Sequence, residues 1–281
     1  MRRLAFDAVS RLIMRNPRQP LKRALLRVGF LLRDRSATRR LALAPGVELE
    51  CRLGSRYETM VWWRQEERDE LALLQRQLRR GDTFVDCGAN VGLWSLVAAS
   101  SVGPSGTVLA FEAHPTTAAR LERIVRDSSL ACVTVHNVAV GESAGHITFM
   151  ESDEHNMQSL LATSGARRIT TPLVTLDEFH LPALHGMKID VEGYEERVLL
   201  GATESLRVHR PWVVIEYNPF YMGSRTLADW PPHRLLAALG YDAYLANVDA
   251  TEAGATPLPG TWSARRYVNL FYRASPAGRR A

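Results

Sequence analysis

The spacing of apolar and polar positions divides the chain into two regions of different character. Residues 1–40 carry two sets of apolar positions at near-helical spacing: Leu4, Phe6, Val9, Leu12 and Ile13, then Leu21, Ala24, Leu25, Val28, Leu31 and Leu32. Pro17 and Pro20 separate them, which predicts two helices. Residues 41–56 read as a short β segment turning at Pro45-Gly46, and Glu66 to Arg80 as a helix with Leu71, Leu74 and Leu78 on one face. From Gly81 onward short apolar runs alternate with helical patterns. Strands are expected at Thr83–Asp86, Thr107–Glu112 and Val133–Val140, with helices at Val91–Ser100 and Pro115–Asp127. The rhythm breaks over 141–180, where β segments at Ile147–Phe149 and Thr170–Leu176 flank a polar loop through His155 and Asn156. It resumes with a strand at Met187–Val191, a helix near Tyr194–Val208 and a strand at Trp212–Glu216. A short helix at His233–Leu239 and a terminal strand at Asn269–Tyr272 complete it. Strands and helices alternating at this spacing imply βαβ units with right-handed crossovers. The expected class is α/β, Rossmann-like, a mostly parallel sheet flanked by helices. The expected division is a helical and β extension over 1–80 and an α/β domain over 81–275.

Composition narrows the picture without naming an activity. With 281 residues, 46% hydrophobic and 23% charged, the chain has an ordinary globular balance. No run of eighteen uncharged apolar residues exists, and Asp7, Arg11 and Arg15 interrupt any signal-peptide core, so a cytoplasmic protein is expected. Cys51, Cys87 and Cys132 fit neither a disulfide framework nor paired zinc ligands and read as small buried hydrophobes. The net charge of +5 is concentrated in residues 1–40, where eleven arginines and Lys22 face only Asp7 and Asp34; the remainder is slightly acidic. A basic amphipathic helix can lie on an anionic membrane surface, dock on a partner, or pack against its own domain with a solvated arginine face. All three readings stay open here.

Three motifs carry the chemistry. Asp86-x-Gly88-x-Asn90-x-Gly92 follows a strand and opens a helix. Glycines there let the backbone approach a ligand closely, and a helix N-terminus offers unpaired N–H groups, as suits a nucleotide-like cofactor or its carboxylate tail. The spacing departs from the dinucleotide fingerprint. An acid two residues before the first glycine suits a cationic amino group instead. Glu112, ending the next strand, stands where a carboxylate accepts two hydrogen bonds from a ribose diol. In Lys188-Ile189-Asp190-Val191-Glu192, strand alternation would put Lys188, Asp190 and Glu192 on one face. Charge on a central strand requires a partner or a purpose. A lysine–carboxylate ion pair and a catalytic role are both compatible with it.

These stretches, Val85-Asp86-Cys87-Gly88-Ala89-Asn90-Val91-Gly92, Phe111-Glu112-Ala113-His114-Pro115, His136-Asn137-Val138-Ala139-Val140-Gly141, Thr175-Leu176-Asp177 and Lys188-Ile189-Asp190-Val191-Glu192-Gly193-Tyr194-Glu195, occur in the order found in the FkbM family of methyltransferases. The chain resembles that family over roughly residues 80–220, departing at Cys87, where valine or isoleucine is more usual, and Ala113, where proline is common. The resemblance implies a class I methyltransferase fold, S-adenosylmethionine as donor, and methylation of a hydroxyl, often on a sugar or secondary metabolite. By position it would give the methionine end to Asp86, Gly88, Asn90 and Gly92, and the ribose to Glu112. Asn137 and Ala139 would lie at the adenine edge. Asp190 and Glu192 are candidates for the acceptor side, with His155 a second candidate base. Asp190, Glu192, Glu216 and Asn218 also offer hard oxygen ligands, so a divalent metal is an open possibility. The expected partner is a small-molecule or glycan acceptor, without nucleic acid. A nucleic-acid methyltransferase, prompted by the basic segment, an NAD-linked oxidoreductase on a related fold and a non-catalytic module retaining the fold are the rival readings.

Overall fold

A computed structural model of the chain describes residues 2–15, 21–151, 158–159, 167–219, 226–252 and 255–275. The chain divides into two compact units, with the boundary at Arg68/Asp69.

The smaller unit holds helices α1 (Arg2–Met14) and α2 (Leu21–Leu32), an antiparallel hairpin of β1 (Thr38–Ala44) and β2 (Val47–Arg52), and helix α3 (Arg56–Trp62). α1 buries Phe6, Ser10 and Ile13, one face at helical spacing. They surround Trp63 together with Leu53, and Leu25, Leu26 and Phe30 pack against this cluster. The Trp63 indole N–H, wholly inside, donates to Ser10 Oγ at 3.0 Å, which explains a buried serine on an apolar face. α3 lies outside the sequence expectation. Its signal is Ser55 three residues before Glu58: the Ser55 hydroxyl accepts the Glu58 N–H at 3.2 Å and starts the helix. Three elements of this unit thus converge on one tryptophan.

The larger unit opens with α4 (Arg68–Gln77), after which strands and helices alternate: β3 (Thr83–Cys87), α5 (Leu93–Val102), β4 (Thr107–Phe111), α6 (Pro115–Asp127), β5 (Val133–His136). Then come β6 (Ala139–Val140), β7 (Gly145–Glu151), β8 (Gln158–Ser159) and β9 (Arg167–Val174), which form a separate small sheet in the order β6-β9-β7-β8. The chain returns through β10 (Gly186–Ile189), α7 (Glu195–Leu200), α8 (Thr203–His209), β11 (Trp212–Tyr217), α9 (Pro231–Ala238), β12 (Tyr241–Leu245) and β13 (Val268–Ala274). The main sheet has the order β12-β13-β11-β10-β3-β4-β5. The five strands from β11 to β5 are parallel neighbours, and β13 is inserted antiparallel between β11 and β12. The chain leaves β3 outward to β4 and β5, then crosses back to β10 on the other side. That reversal falls between β3 and β10, and the C-terminal strand ends at such a switch point are where open α/β sheets take their ligands.

Local chemistry explains where these elements depart from the apolar pattern. The expected strand Val133–Val140 is two strands. β5 stops at His136 because the Asn137 amide turns away to donate to the carbonyls of Glu112 (2.9 Å) and Ala113 (3.2 Å). Ala139 and Val140 then pair with Leu173 and Val174 in the small sheet. The helix expected over Tyr194–Val208 is also two. Asp177, from the Thr175-Leu176-Asp177 stretch, caps a new start at α8, its carboxylate accepting the N–H groups of Glu204 (3.0 Å) and Ser205 (2.8 Å). β12, a short edge strand after Gly240, lies outside the sequence expectation. All three cysteines are buried and unbridged.

The core between β3 and β11 is tight at one point. Gly186 begins β10 beneath Trp212, whose ring stacks on Phe84 at 5.5 Å between centroids. A Cβ at Gly186 would fall 2.2 Å from the Trp212 ring, which cannot retreat without leaving Phe84. Gly186→Ala is therefore expected to cost about 1–3 kcal/mol of stability in urea unfolding. A neutral substitution would show that this contact is loose.

Candidate active site

The donor-side candidates are built on the ends of β3 and β4. Gly88 and Ala89 both donate their N–H groups to the Phe111 carbonyl, at 3.0 and 2.9 Å, which ties the glycine turn to the tip of β4. Gly88 has φ +80°, and a Cβ there would lie 1.9 Å from the Asp190 carbonyl oxygen, so only glycine allows β3 and β10 to meet this closely. The Glu112 carboxylate, 3% exposed, accepts the Asn90 N–H on one oxygen and the His114 N–H on the other, each at 2.8 Å. Asn90 reaches that donor position with φ +49°, a conformation asparagine tolerates. α5 then starts behind Gly92 without a side-chain cap, its N-terminal dipole directed at the turn.

Asp86, last but one on β3, is fully buried. Its Oδ2 accepts the Ser95 hydroxyl of α5 at 2.6 Å, and its Oδ1 lies 3.6 Å from Lys188 Nζ without a hydrogen bond. Burial pushes this carboxyl upward, Lys188 and Ser95 pull against that, and the Asp190 charge adds to it. Lys188, 4% exposed on β10, donates to the Gly88 carbonyl at 2.8 Å and pairs with Asp190 Oδ2 at 3.3 Å. One ammonium thus holds the glycine turn, Asp86 and Asp190. Ser95 lies outside the sequence reading. Its signal was a lone hydroxyl within Leu93-Trp94-Ser95-Leu96-Val97, where a buried polar group requires a partner.

On the acceptor side the reading needs a correction. β10 ends at Ile189, so Glu192 does not continue a strand face with Lys188 and Asp190. The Asp190 N–H still reaches the Cys87 carbonyl at 3.1 Å, but Glu192 and Gly193 turn the chain with φ +54° and +98°. The physical cause is Glu195, at the start of α7, whose buried carboxylate accepts the N–H groups of Gly193 (3.0 Å) and Val191 (3.3 Å) and closes the loop. Burial raises the Glu195 carboxyl to about 6, the backbone donors opposing the shift. On the neighbouring strand β11, Glu216 is raised to about 9, first by burial and then by the charges of Asp190, Glu192 and Glu195. The Asn218 amide donates to Glu216 Oε2 at 3.4 Å. A carboxyl so raised holds its proton at neutrality and is a donor rather than a charge.

Among the described residues no three carboxylate, imidazole or thiol groups converge as a cation site. Asn137 supports the Glu112 loop through its two carbonyl contacts, and Ala139 lies in β6. His155 lies outside the described residues.

A seven-stranded, mostly parallel sheet with one reversed strand beside its edge, and a glycine turn at the point where strand order reverses, is the Rossmann-like fold of class I methyltransferases. The family model of the methyltransferase FkbM domain matches residues 86–242, and the chain belongs to that family. It is 30% identical over 148 residues to the hexuronic acid methyltransferase AglP of Haloferax volcanii, a match covering 50% of this chain and 58% of that one. The match therefore spans less than two thirds of the relative's length. Among solved structures, a methyltransferase FkbM from Methylobacillus flagellatus KT is similar with a TM-score of 0.46 at 16% identity, over 94% of this chain and 58% of that one. An rRNA-methylase structure from Clostridium thermocellum gives 0.45 at 11%, over 73% and 94%.

Glu216 provides a pH test of the acidic cluster. Its folded-state pKa of about 9 lies above the ordinary carboxylate value, so the native state binds the extra proton between roughly 4.5 and 9. Its contribution to stability falls as pH rises through that window. Urea unfolding at pH 6 and pH 9 should show wild type losing at least about 1 kcal/mol more than Glu216→Gln. Equal losses would mean that Glu216 titrates as an ordinary exposed acid.

Proposed function

We propose that the protein is an S-adenosylmethionine-dependent methyltransferase that O-methylates a hydroxyl of a sugar, glycolipid or secondary metabolite, with a sugar the leading case. The observation that carries this reading is Lys188, which bonds the glycine turn and Asp190 at once, joining a cofactor side to an acceptor side. Family membership and the 30% identity to a hexuronic acid methyltransferase support it.

The residues present suit such a donor. Asp86 Oδ1 is a buried acceptor without a hydrogen bond beside the glycine turn, which suits a cationic amino group or a water holding one. Glu112 is an acceptor at the tip of β4, which suits a diol. Asp86, Gly88, Asn90 and Gly92 would hold the amino-acid end, Glu112 the ribose, and Asn137 and Ala139 the base edge. When bound, S-adenosylmethionine supplies an electrophilic methyl group on a sulfonium. The chain's own part is to align, orient and take a proton. Asp190, fixed by Lys188, accepts the acceptor's hydroxyl proton as the new bond forms, and Glu192 orients the hydroxyl. His155 is the second candidate for the base. Carboxylates accept hydrogen bonds from hydroxyls and repel other carboxylates, so the ring edge presented here is a neutral hydroxyl edge, even on an acidic sugar.

Calorimetry of the full chain should show S-adenosylmethionine binding and no NAD binding. Glu112→Ala is expected to weaken the former about 10–100-fold. Asp190→Asn should keep cofactor affinity within about threefold while lowering turnover on a methyl-accepting glycoside at least about 100-fold. Folded protein that does not bind S-adenosylmethionine would overturn the reading. Full turnover in Asp190→Asn would remove only the assigned base.

A further inference from the structure

The smaller unit carries a surface that cofactor and acceptor chemistry leave unused. α1 and α2 turn one face inward onto Trp63, yet their other faces are not polar. On α1, Leu4 (73% exposed), Ala8 and Leu12 (47%) recur every four residues on the outward side. On α2, Leu21 (57%), Ala24, Val28 (42%) and Leu31 (74%) form a second outward stripe at i, i+3, i+7 and i+10. α2 is thus apolar on two sides, the mark of a helix with surroundings other than water on both.

Exposed arginines flank each stripe: Arg11 and Arg15 beside the first, Arg23 and Arg27 beside the second. α2 contains no acid, and the one acid of α1, Asp7, lies 3.7 Å from Arg39. Asp34, the other acid of this segment, accepts from the N–H and hydroxyl of Ser36. Positive charge therefore dominates beside the apolar stripes.

We infer that the outward faces of α1 and α2 dock the protein on an anionic lipid bilayer. Leucines on a helix lying in the membrane plane enter the acyl boundary, while guanidinium groups at its margin engage lipid phosphates. The bilayer uses both features. A second copy would oppose arginine to arginine, and a nucleic acid would engage the arginines but leave the leucines in water. Among the described residues no helix is long and apolar enough to cross a membrane, so the contact is peripheral.

Flotation of the full chain with vesicles of phosphatidylcholine alone, or with added phosphatidylglycerol, tests this independently of catalysis. Binding is expected to the anionic vesicles only, weakening with salt. Leu12→Glu combined with Leu31→Glu should lower it at least about tenfold, and each reversal Arg23→Glu or Arg27→Glu about fivefold or more. Because all four side chains are solvent-exposed, circular dichroism and S-adenosylmethionine affinity should match the unmodified chain. The wild-type lipid and salt comparison stands even if a variant misfolds. No preference of the unmodified chain for anionic vesicles would overturn the inference. So would lipid binding that ignores the leucine changes, a self-association in sedimentation that they abolish, or an RNA oligonucleotide bound in preference to vesicles.

Discussion

Lys188 is a buried cation on a central strand, and its surroundings are arranged around that fact. Taking an ammonium out of water costs several kcal/mol unless opposite charge and hydrogen bonds offset it. Here they are supplied by Asp86 on β3, Asp190 just beyond β10 and the carbonyl of Gly88 in the turn between β3 and α5. The lysine thus ties the two strands flanking the switch point at their C-terminal ends, and it dictates a second constraint. The backbones must approach until Gly88 lies against the Asp190 carbonyl, which leaves no room for a side chain at 88. The glycine turn and the charged strand face are one structure seen from two strands.

The same charges grade the carboxyls of the site. Asp190 is paired with Lys188, whereas Glu216, raised first by burial and then by neighbouring acids, has the Asn218 amide beside it and keeps its proton. Glu195 is intermediate: two backbone donors favour its charge while burial opposes it. Three acids in one neighbourhood therefore offer distinct chemistry, from a lysine-paired carboxylate to a neutral hydrogen-bond donor. That grading would suit the proposed acceptor, an uncharged hydroxyl that must lose one proton. The Glu195 carboxylate also fixes the loop backbone on either side of Glu192.

Much of this was legible in sequence, for reasons that are local. Parallel strands buried on both faces read as short apolar runs, so β3, β4, β10 and β11 stood out, and proline at the start of α6 marked a helix. The placement of the Asp86–Gly92 turn and of Glu112 at strand ends was legible because each follows directly on a short apolar run. What was hidden depends on partners distant in the chain. Alternation cannot show where a strand stops, so the departure of Glu192 from β10, set by Glu195, was missed. The break after β5 depends on Asn137 finding two carbonyls 24 and 25 residues earlier. The raised carboxyl of Glu216 arises from three neighbouring acids and burial, which no window of sequence contains. Ser95 and Glu58 left faint signals, a hydroxyl in an apolar helix and a helix-start spacing, that become clear only with their partners.

The central claim is that Lys188 and Asp86 are energetically coupled and that the turn depends on the pair. A double-mutant cycle in urea, with Lys188→Met, Asp86→Leu and both together, measures that coupling directly. Each single change should be costly, because it removes one partner of a buried charge pair, by about 3–5 kcal/mol. The double variant should recover a large part of the loss, with a coupling of at least about 2 kcal/mol. Additivity within about 0.5 kcal/mol would contradict the account and make the ion pair incidental to the fold.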